Sequence, residues 1–288
     1  MKITFKEKKF LKYITNDIIK NYQKYYCGSN YYAKIKKKIN YFYRQNKNEK
    51  KKYLGAAGFV NFPYFKMGNI DTTHLFGIDE IIIFSFYYLL KKKKFKSAAD
   101  LGANIGLHSI VLSKLGYNVK SYEPDTQHYK KMLSNLKLNK CKKVKTFKKA
   151  VSNNNKDAVF TKIINNTTGS FINNSKKKIF GPISKFKVKC IEFKKILKHA
   201  DLLKIDVEGM EAKLFCSTTA KDWCGKVAII EIGSKQNATK IFKHSKNEKI
   251  FLYSQKKKWL NAKTIKDLPY SHKEGSVIIS LNKNNPWL

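Results

Sequence analysis

The chain has 288 residues, 42% of them hydrophobic and 14% aromatic, which excludes global disorder and suits one α/β domain with an extension. The formal net charge is +40, nearly all of it from lysine, since Arg44 is the only arginine. Guanidinium forks are the preferred readers of phosphate and guanine, so this composition argues against a dedicated nucleic-acid reader and for codon bias toward Lys, Asn, Ile, Tyr and Phe.

The opening "MKITFKEKKF" lacks the apolar core of a signal peptide. Residues 1–76 read as a basic, aromatic-rich extension. In it Phe10, Ile14, Ile18 and Ile19 recur at helical spacing, and Ile35, Ile39 and Phe42 form a second stripe. Gly55, Gly58 and Pro63 then break the chain into turns. This arm is expected to pack on the main domain, without chemistry of its own. The main domain, 77–288, opens with "GIDEIIIFSFYYLL", a helix whose acidic residues sit at its positive end. The run from Ile81 to Leu90 is the longest apolar one. It is too short to span a bilayer, so no transmembrane segment is expected. The five scattered cysteines, Cys27, Cys141, Cys190, Cys216 and Cys224, suggest no disulfide framework or zinc site. They fit reduced thiols, and with the other signs a cytoplasmic protein.

From Ser97 onward strands and helices alternate. "SAADLG" is a strand, "NIGLHSIVLSKLG" a helix stopped by Gly116, and "YNVKSYEPD" a second strand. "HYKKMLSNLKLN" is a helix and "KVKTFKKAVS" a third strand. Residues 153–190 look like an insertion, in which "DAVFTKII" and "FKVKCIEF" alternate like half-exposed strands around the polar loop "NNTTGSFINNSKKKIFGP". "HADLLKIDVEGMEAKLF" is a strand followed by a helix. Trp223 and Cys224 read as core or turn. "GKVAIIEIGS" is apolar enough for the middle of a sheet. "KIFLYS" and "SVIISL" close the chain as an antiparallel edge pair. The alternation predicts a doubly wound, mostly parallel sheet.

"DLGANIG" lies at a strand-to-helix turn. Gly102 and Gly106 let the backbone approach a ligand closely, and the following helix offers free N–H groups. Glu123 ends the second strand, where a carboxylate can take both hydroxyls of a ribose. The dinucleotide pattern G-x-G-x-x-G is not met, because Asn104 and Leu107 replace its second and third glycines. S-adenosylmethionine, which has no phosphate, suits this loop better.

"DLGANIGLHSI", "YEPD", "LLKIDVEGMEAKLF" and "AIIEIG" occur in the order and spacing of the FkbM-type methyltransferases, which the chain resembles from about Asp79 to about Gly233. The resemblance implies a Rossmann-like methyltransferase fold, here with seven strands, that uses S-adenosylmethionine to methylate a hydroxyl of a sugar or other small molecule. It also implies a cofactor loop of Asp100, Gly102, Ala103, Asn104 and Gly106, with Glu123 on the ribose. Ala150 and Val151 would lie against the adenine, and Asp206 beside the methionine part or the transferred methyl. The chain departs from the family in having "CIEF" where a T-L-D turn is usual, and in its long basic extension.

Methyl transfer from a sulfonium needs a positioned nucleophile and a proton acceptor. Along "KIDVEG" strand alternation puts Lys204 and Asp206 on one face, with Glu208 just beyond, and Glu231 comes from the adjacent strand. Asp206 or Glu208 is the expected base or substrate anchor, Glu231 a second acidic contact, and Lys204 a stabiliser of a developing alkoxide or a partner for a carboxylate. Two or three converging carboxylates could also hold Mg²⁺, although no metal site is expected. His108 and His74 are weaker candidates, and Thr167–Ser170 could line a substrate pocket. Two other readings remain. The lysine load would suit an RNA ribose 2′-O-methyltransferase. A non-catalytic scaffold held on anionic membrane would suit the basic arm, though the intact cofactor loop argues against it.

Overall fold

The computed structural model describes residues 5–172 and 181–288. Part of the polar loop expected in the insertion, 173–180, lies outside the described residues. Two helices come first, α1 (Phe5–Asn21) and α2 (Asn30–Gln45), the second capped by the Ser29 hydroxyl. Two small antiparallel ribbons follow: β1 (Lys51–Tyr53) with β2 (Phe59–Asn61), and β3 (Lys66–Met67) with β4 (Ile70–Asp71). Next are α3 (Ile78–Lys92), β5 (Ser97–Leu101), α4 (Leu107–Lys114), β6 (Asn118–Tyr122), α5 (Thr126–Leu138), β7 (Val144–Phe147) and β8 (Ala150–Ser152). The insertion supplies β9 (Ala158–Ile163), β10 (Phe171–Ile172) and β11 (Ile183–Val188), which pair antiparallel in the order β10-β9-β11. The chain ends with β12 (Cys190–Glu192), α6 (Phe193–Leu197), β13 (Leu202–Ile205), α7 (Glu211–Phe215), β14 (Val227–Glu231), α8 (Lys235–Asn247), β15 (Phe251–Ser254), β16 (Leu260–Asn261) and β17 (Ser276–Ser280).

The main sheet has eight strands in the order β16-β15-β17-β14-β13-β5-β6-β7. The pairs from β14 to β7 are parallel, and β17 runs antiparallel to both β14 and β15. This is the Rossmann-like, doubly wound arrangement. The chain winds outward through β6 and β7 on one side and β14 on the other, so its direction switches between β5 and β13. Ligands of such sheets bind in the crevice at that switch, beyond the carboxyl ends of the strands.

Three details differ from the sequence reading. The sheet has eight strands where seven were expected, because the short β16 adds a strand beyond β15. The expected antiparallel edge pair exists, but β17 sits inside the sheet and the short β16 forms the margin beyond β15. The third strand is broken: "KVKTF" stays in the main sheet as β7, whereas β8 leaves it to pair in parallel with β12. Lysines 148 and 149 occupy the bend between them.

Strand alternation gives the sheet two apolar faces. Leu202, Val227, Ile229 and Ile278 face a core filled by α1 to α5. Leu203, Ile205, Ala228 and Ile230 face the core around α6, α7 and α8. Ile14 and Ile39 of the extension are fully buried in the first of these cores, and Tyr22 stacks on Trp287 at 5.0 Å. The extension is therefore continuous with the packing of the main domain. Among the described residues, no helix is long and apolar enough to cross a membrane.

Removing three carbons from a fully buried isoleucine costs about 2–5 kcal/mol. Ile39→Ala should therefore lower stability to urea by that order. Tryptophan fluorescence and far-UV circular dichroism should report one shared transition. Separate transitions for the two probes would mean that the helical arm unfolds independently.

Candidate active site

Four adjacent strand ends carry the site. Gly102 follows β5, Glu123 follows β6, Asp206 follows β13 and Glu231 ends β14. The loops after β5 and β13 press against each other. Gly102 has φ +76°, and a Cβ there would collide with the carbonyl oxygen of Asp206. The Asp206 N–H donates to the Leu101 carbonyl at 3.1 Å. Only glycine satisfies both the backbone angle and the contact.

The glycine turn is also tied to the end of β6. The Gly102 and Ala103 N–H groups donate to the Tyr122 carbonyl at 3.1 and 2.9 Å. The Glu123 carboxylate accepts from the Asn104 N–H and the Asp125 N–H, both at 2.8 Å. Glu123 is buried, and burial pushes its carboxyl up to about 7 against the pull of the two amides. Its two amide bonds leave each oxygen with an unused lone pair.

Lys204 lies beneath the two loops. Its ammonium donates to Asp206 Oδ2 at 3.0 Å and reaches the Gly102 carbonyl at 3.5 Å. Burial alone would discourage its charge, but Asp206, Asp100 and Glu231 around it outweigh that and hold its pKa above the ordinary lysine value. Asp100 is fully buried and accepts from the Ser109 hydroxyl at 2.6 Å. Burial pushes it upward and Lys204 pulls the other way. Glu231 is pushed well above the carboxylate range by burial and by Asp206, with Glu208 and Glu80 adding to the effect.

Over these strand ends lies a cleft of about 1080 Å³, just above the range of about 300–1,000 Å³ usual for ligand sites. A protein-family model for the FkbM methyltransferase domain matches residues 100–257, more than half of the chain and all four of these strand ends. The chain belongs to the FkbM methyltransferase family. No curated protein sequence matches it. Among solved structures it is similar to precorrin-6y C5,15-methyltransferase from Geobacter metallireducens GS-15, at 12% identity over 68% of this chain and 85% of that one, with a TM-score of 0.37. It is also similar to ribosomal protein L11 methylase from Lactobacillus delbrueckii subsp. bulgaricus, at 11% identity over 68% and 75% with a TM-score of 0.36. The family assignment rests on the domain match alone.

Within this FkbM domain the structure brings most of the sequence-derived site residues to the cleft. Gly102, Ala103, Asn104, Glu123, Ala150 and Val151 line it, as do Lys204, Asp206, Glu208 and Glu231. Asp100 and Gly106 do not line it. Asp100 lies below its floor, and Gly106, at φ +90°, starts α4 with Met132 against its α-carbon. Thr167–Ser170 and His74 also line the cleft. His108 reaches it too, but its Nδ1 is bonded to the Tyr87 hydroxyl at 3.0 Å, and burial holds its pKa well below the ordinary value. Trp223 is core, with its indole N–H on the Thr218 hydroxyl, and Cys224 is exposed. Among the described residues, no group of three His, Cys, Asp or Glu side chains is placed to hold a metal.

The sequence reading missed two acids at the cleft. Glu211, the last acid of "KIDVEGME", accepts the N–H groups of Val207 and Gly209 at 3.1 and 2.9 Å and the Asn237 amide at 3.0 Å. It braces the turn that carries Asp206 and Glu208, the latter at φ +52°. Burial pushes Glu211 up to about 7. Glu80, on the first turn of α3, was read only as a partner for the helix dipole. It lines the cleft, and burial pushes it to about 8.

A buried carboxyl that binds its proton more tightly when folded makes stability fall as pH rises from its unfolded value, 4.5 here, to its folded one. For Glu123 and Glu211 that window ends at about 7. Stability to urea should therefore fall between about pH 5 and pH 7, by up to about 1.4 kcal/mol per unit for each group. Glu123→Gln should flatten the slope. His108 and His128, both lowered by burial, act in the opposite direction in part of this window, so the test is the difference: a slope left unchanged by Glu123→Gln would contradict the raised pKa of that carboxyl.

Proposed function

We propose that this protein is an S-adenosylmethionine-dependent O-methyltransferase that acts on a hydroxyl of a sugar or another small molecule. The observation that carries the reading is Glu123, a buried carboxylate at the end of β6 that lines the cleft beside the Gly102 turn. The residues present fit the cofactor. Each Glu123 oxygen keeps a lone pair for a ribose hydroxyl. Ala150 and Val151 offer an apolar wall for the adenine. Asn104 Oδ1 is buried without a hydrogen-bond partner, and Asn104 lines the cleft. That oxygen can accept from the ammonium of the methionine part.

S-adenosylmethionine supplies an electrophilic methyl group on a sulfonium sulfur. The chain's own residues have three tasks. Asp206, which lines the cleft with 30% of its side chain exposed and Lys204 beside it, accepts the proton of the acceptor hydroxyl. Lys204 has three ammonium hydrogens and uses two on Asp206 and the Gly102 carbonyl, so the third can stabilise the oxygen as negative charge develops. Glu231, whose hold on its proton is strengthened by burial and by Asp206, orients the acceptor through a hydrogen bond. The half-buried Glu208 sits at the edge of the same floor.

The charge of the cleft favours a small hydroxyl over an RNA ribose. Among the described residues, Asp79, Glu80, Glu123, Asp206, Glu208, Glu211 and Glu231 line it, against five cations, in a protein of net charge +40. A groove for nucleic acid would be lined the other way.

Calorimetry should show S-adenosylmethionine binding, and Glu123→Ala should weaken it at least tenfold, about 1.4 kcal/mol. Unchanged affinity would remove Glu123 from the ribose. Asp206→Asn should reduce turnover by two to four powers of ten, the usual scale of general-base catalysis, with cofactor affinity retained. The reaction itself is tested by a labelled methyl donor and a panel of saccharide and RNA acceptors. Transfer to RNA alone would overturn the small-molecule reading.

A further inference from the structure

We propose that the acceptor carries an oxyanion, a phosphate or a carboxylate on a sugar, and that Arg44 seats this anion at the mouth of the cleft. The proposal rests on the methyltransferase reading above and adds the class of its substrate.

Charge is graded along the cleft. All seven lining carboxylates are buried or half-buried, whereas Arg44 and Lys273 are exposed and Lys149 is half-buried. Several of the acids are already committed. Asp206 is paired with Lys204, Glu123 and Glu211 hold backbone amides, and Asp79 takes Tyr32, Lys36 and Gln255. Arg44, Lys149 and Lys273 make no ion pair among the described residues. Among the described residues, the mouth therefore holds three cations outside any ion pair, above a floor whose carboxylates suit hydroxyl groups.

Lysines at a surface need no explanation in this composition. Arg44 does, as the one guanidinium in the chain. The last turn of α2 favours any cation, lysine included. What arginine adds is a planar fork that grips a phosphate or carboxylate with two parallel hydrogen bonds. Asn40, one turn earlier on α2, lines the cleft beside it with an amide that can donate to the same oxygens.

A sole arginine gives a direct test. In ¹⁵N-labelled protein the Arg44 Nε–H is the single arginine side-chain signal, so it reports this site however many lysines bind anions elsewhere. Glucose 1-phosphate, glucuronate, glucose and an RNA hexamer are titrated in the presence of S-adenosylhomocysteine. One of the two anionic sugars should shift the signal saturably, which also tells phosphate from carboxylate, and glucose should not. By calorimetry Arg44→Ala should weaken that sugar's binding at least tenfold, and Arg44→Lys should fall between. Binding of S-adenosylhomocysteine should be unchanged in both variants. A signal unmoved by either anionic sugar, or equal affinity in Arg44→Ala, overturns the proposal. A shift with the RNA hexamer at lower concentration than with either sugar overturns it in favour of a polynucleotide. Failure of the wild type to bind S-adenosylhomocysteine would instead sink the methyltransferase reading and leave the Arg44 result to stand separately.

Discussion

The ends of β5 and β13 meet backbone against backbone, and the rest of the site depends on that crossing. Residue 102 has no side chain, so the Asp206 carbonyl can rest on its α-carbon. Lys204 then stands close enough to bridge the two loops, from the Gly102 carbonyl to the Asp206 carboxylate. A larger residue at 102 would push the strands' carboxyl ends apart and break this bridge. The ammonium would then be left buried among carboxylates with a poorer geometry, which is costly in a low-dielectric interior. Position, charge and proton chemistry in this site are thus consequences of one close approach.

The protein separates its charges by depth. Its surplus is almost entirely lysine and suits solubility and association more than any particular partner. Its scarce acids behave differently, with seven of the 20 gathered at the cleft. Burial there raises Glu80, Glu123 and Glu231, so some protons are retained near neutrality. A floor holding both ionised and protonated carboxyls can accept and donate hydrogen bonds at once, as a polyhydroxylated ligand requires.

The parts of this arrangement that could be read from the sequence are the local ones. "DLGANIG", "YEPD" and "KIDVEG" are strand-to-helix turns, and each places its polar residues just past an apolar run. The glycine turn and the strand-end acid locate Gly102 and Glu123, strand alternation locates Lys204 and Asp206, and the strand "VAIIE" locates Glu231. What escaped depends on contacts between distant segments. Nothing in "NYFYRQ" says that Asn40 and Arg44 will face a cleft built more than 50 residues later. Glu80 satisfies a helix end so well that its second neighbourhood, near Glu231, is invisible locally. The break in "KVKTFKKAVS" arises because β8 finds a better partner in β12, and the inner place of β17 follows from pairing with both β14 and β15.

That inner place has a bearing on how the molecule is made. β14 carries Glu231, and one of its two edges is completed only by β17, some 45 residues later in the chain. While a ribosome is still adding the intervening stretch, "VAIIE" presents a bare apolar margin with unsatisfied amides, the kind of surface that nascent chains misuse in aggregation. The half-sheet from β7 to β14 can assemble early, whereas the wall beneath Glu231 must wait for Ser276–Ser280. Competence for chemistry would then arrive abruptly, once Ser276–Ser280 has been made, instead of accruing strand by strand.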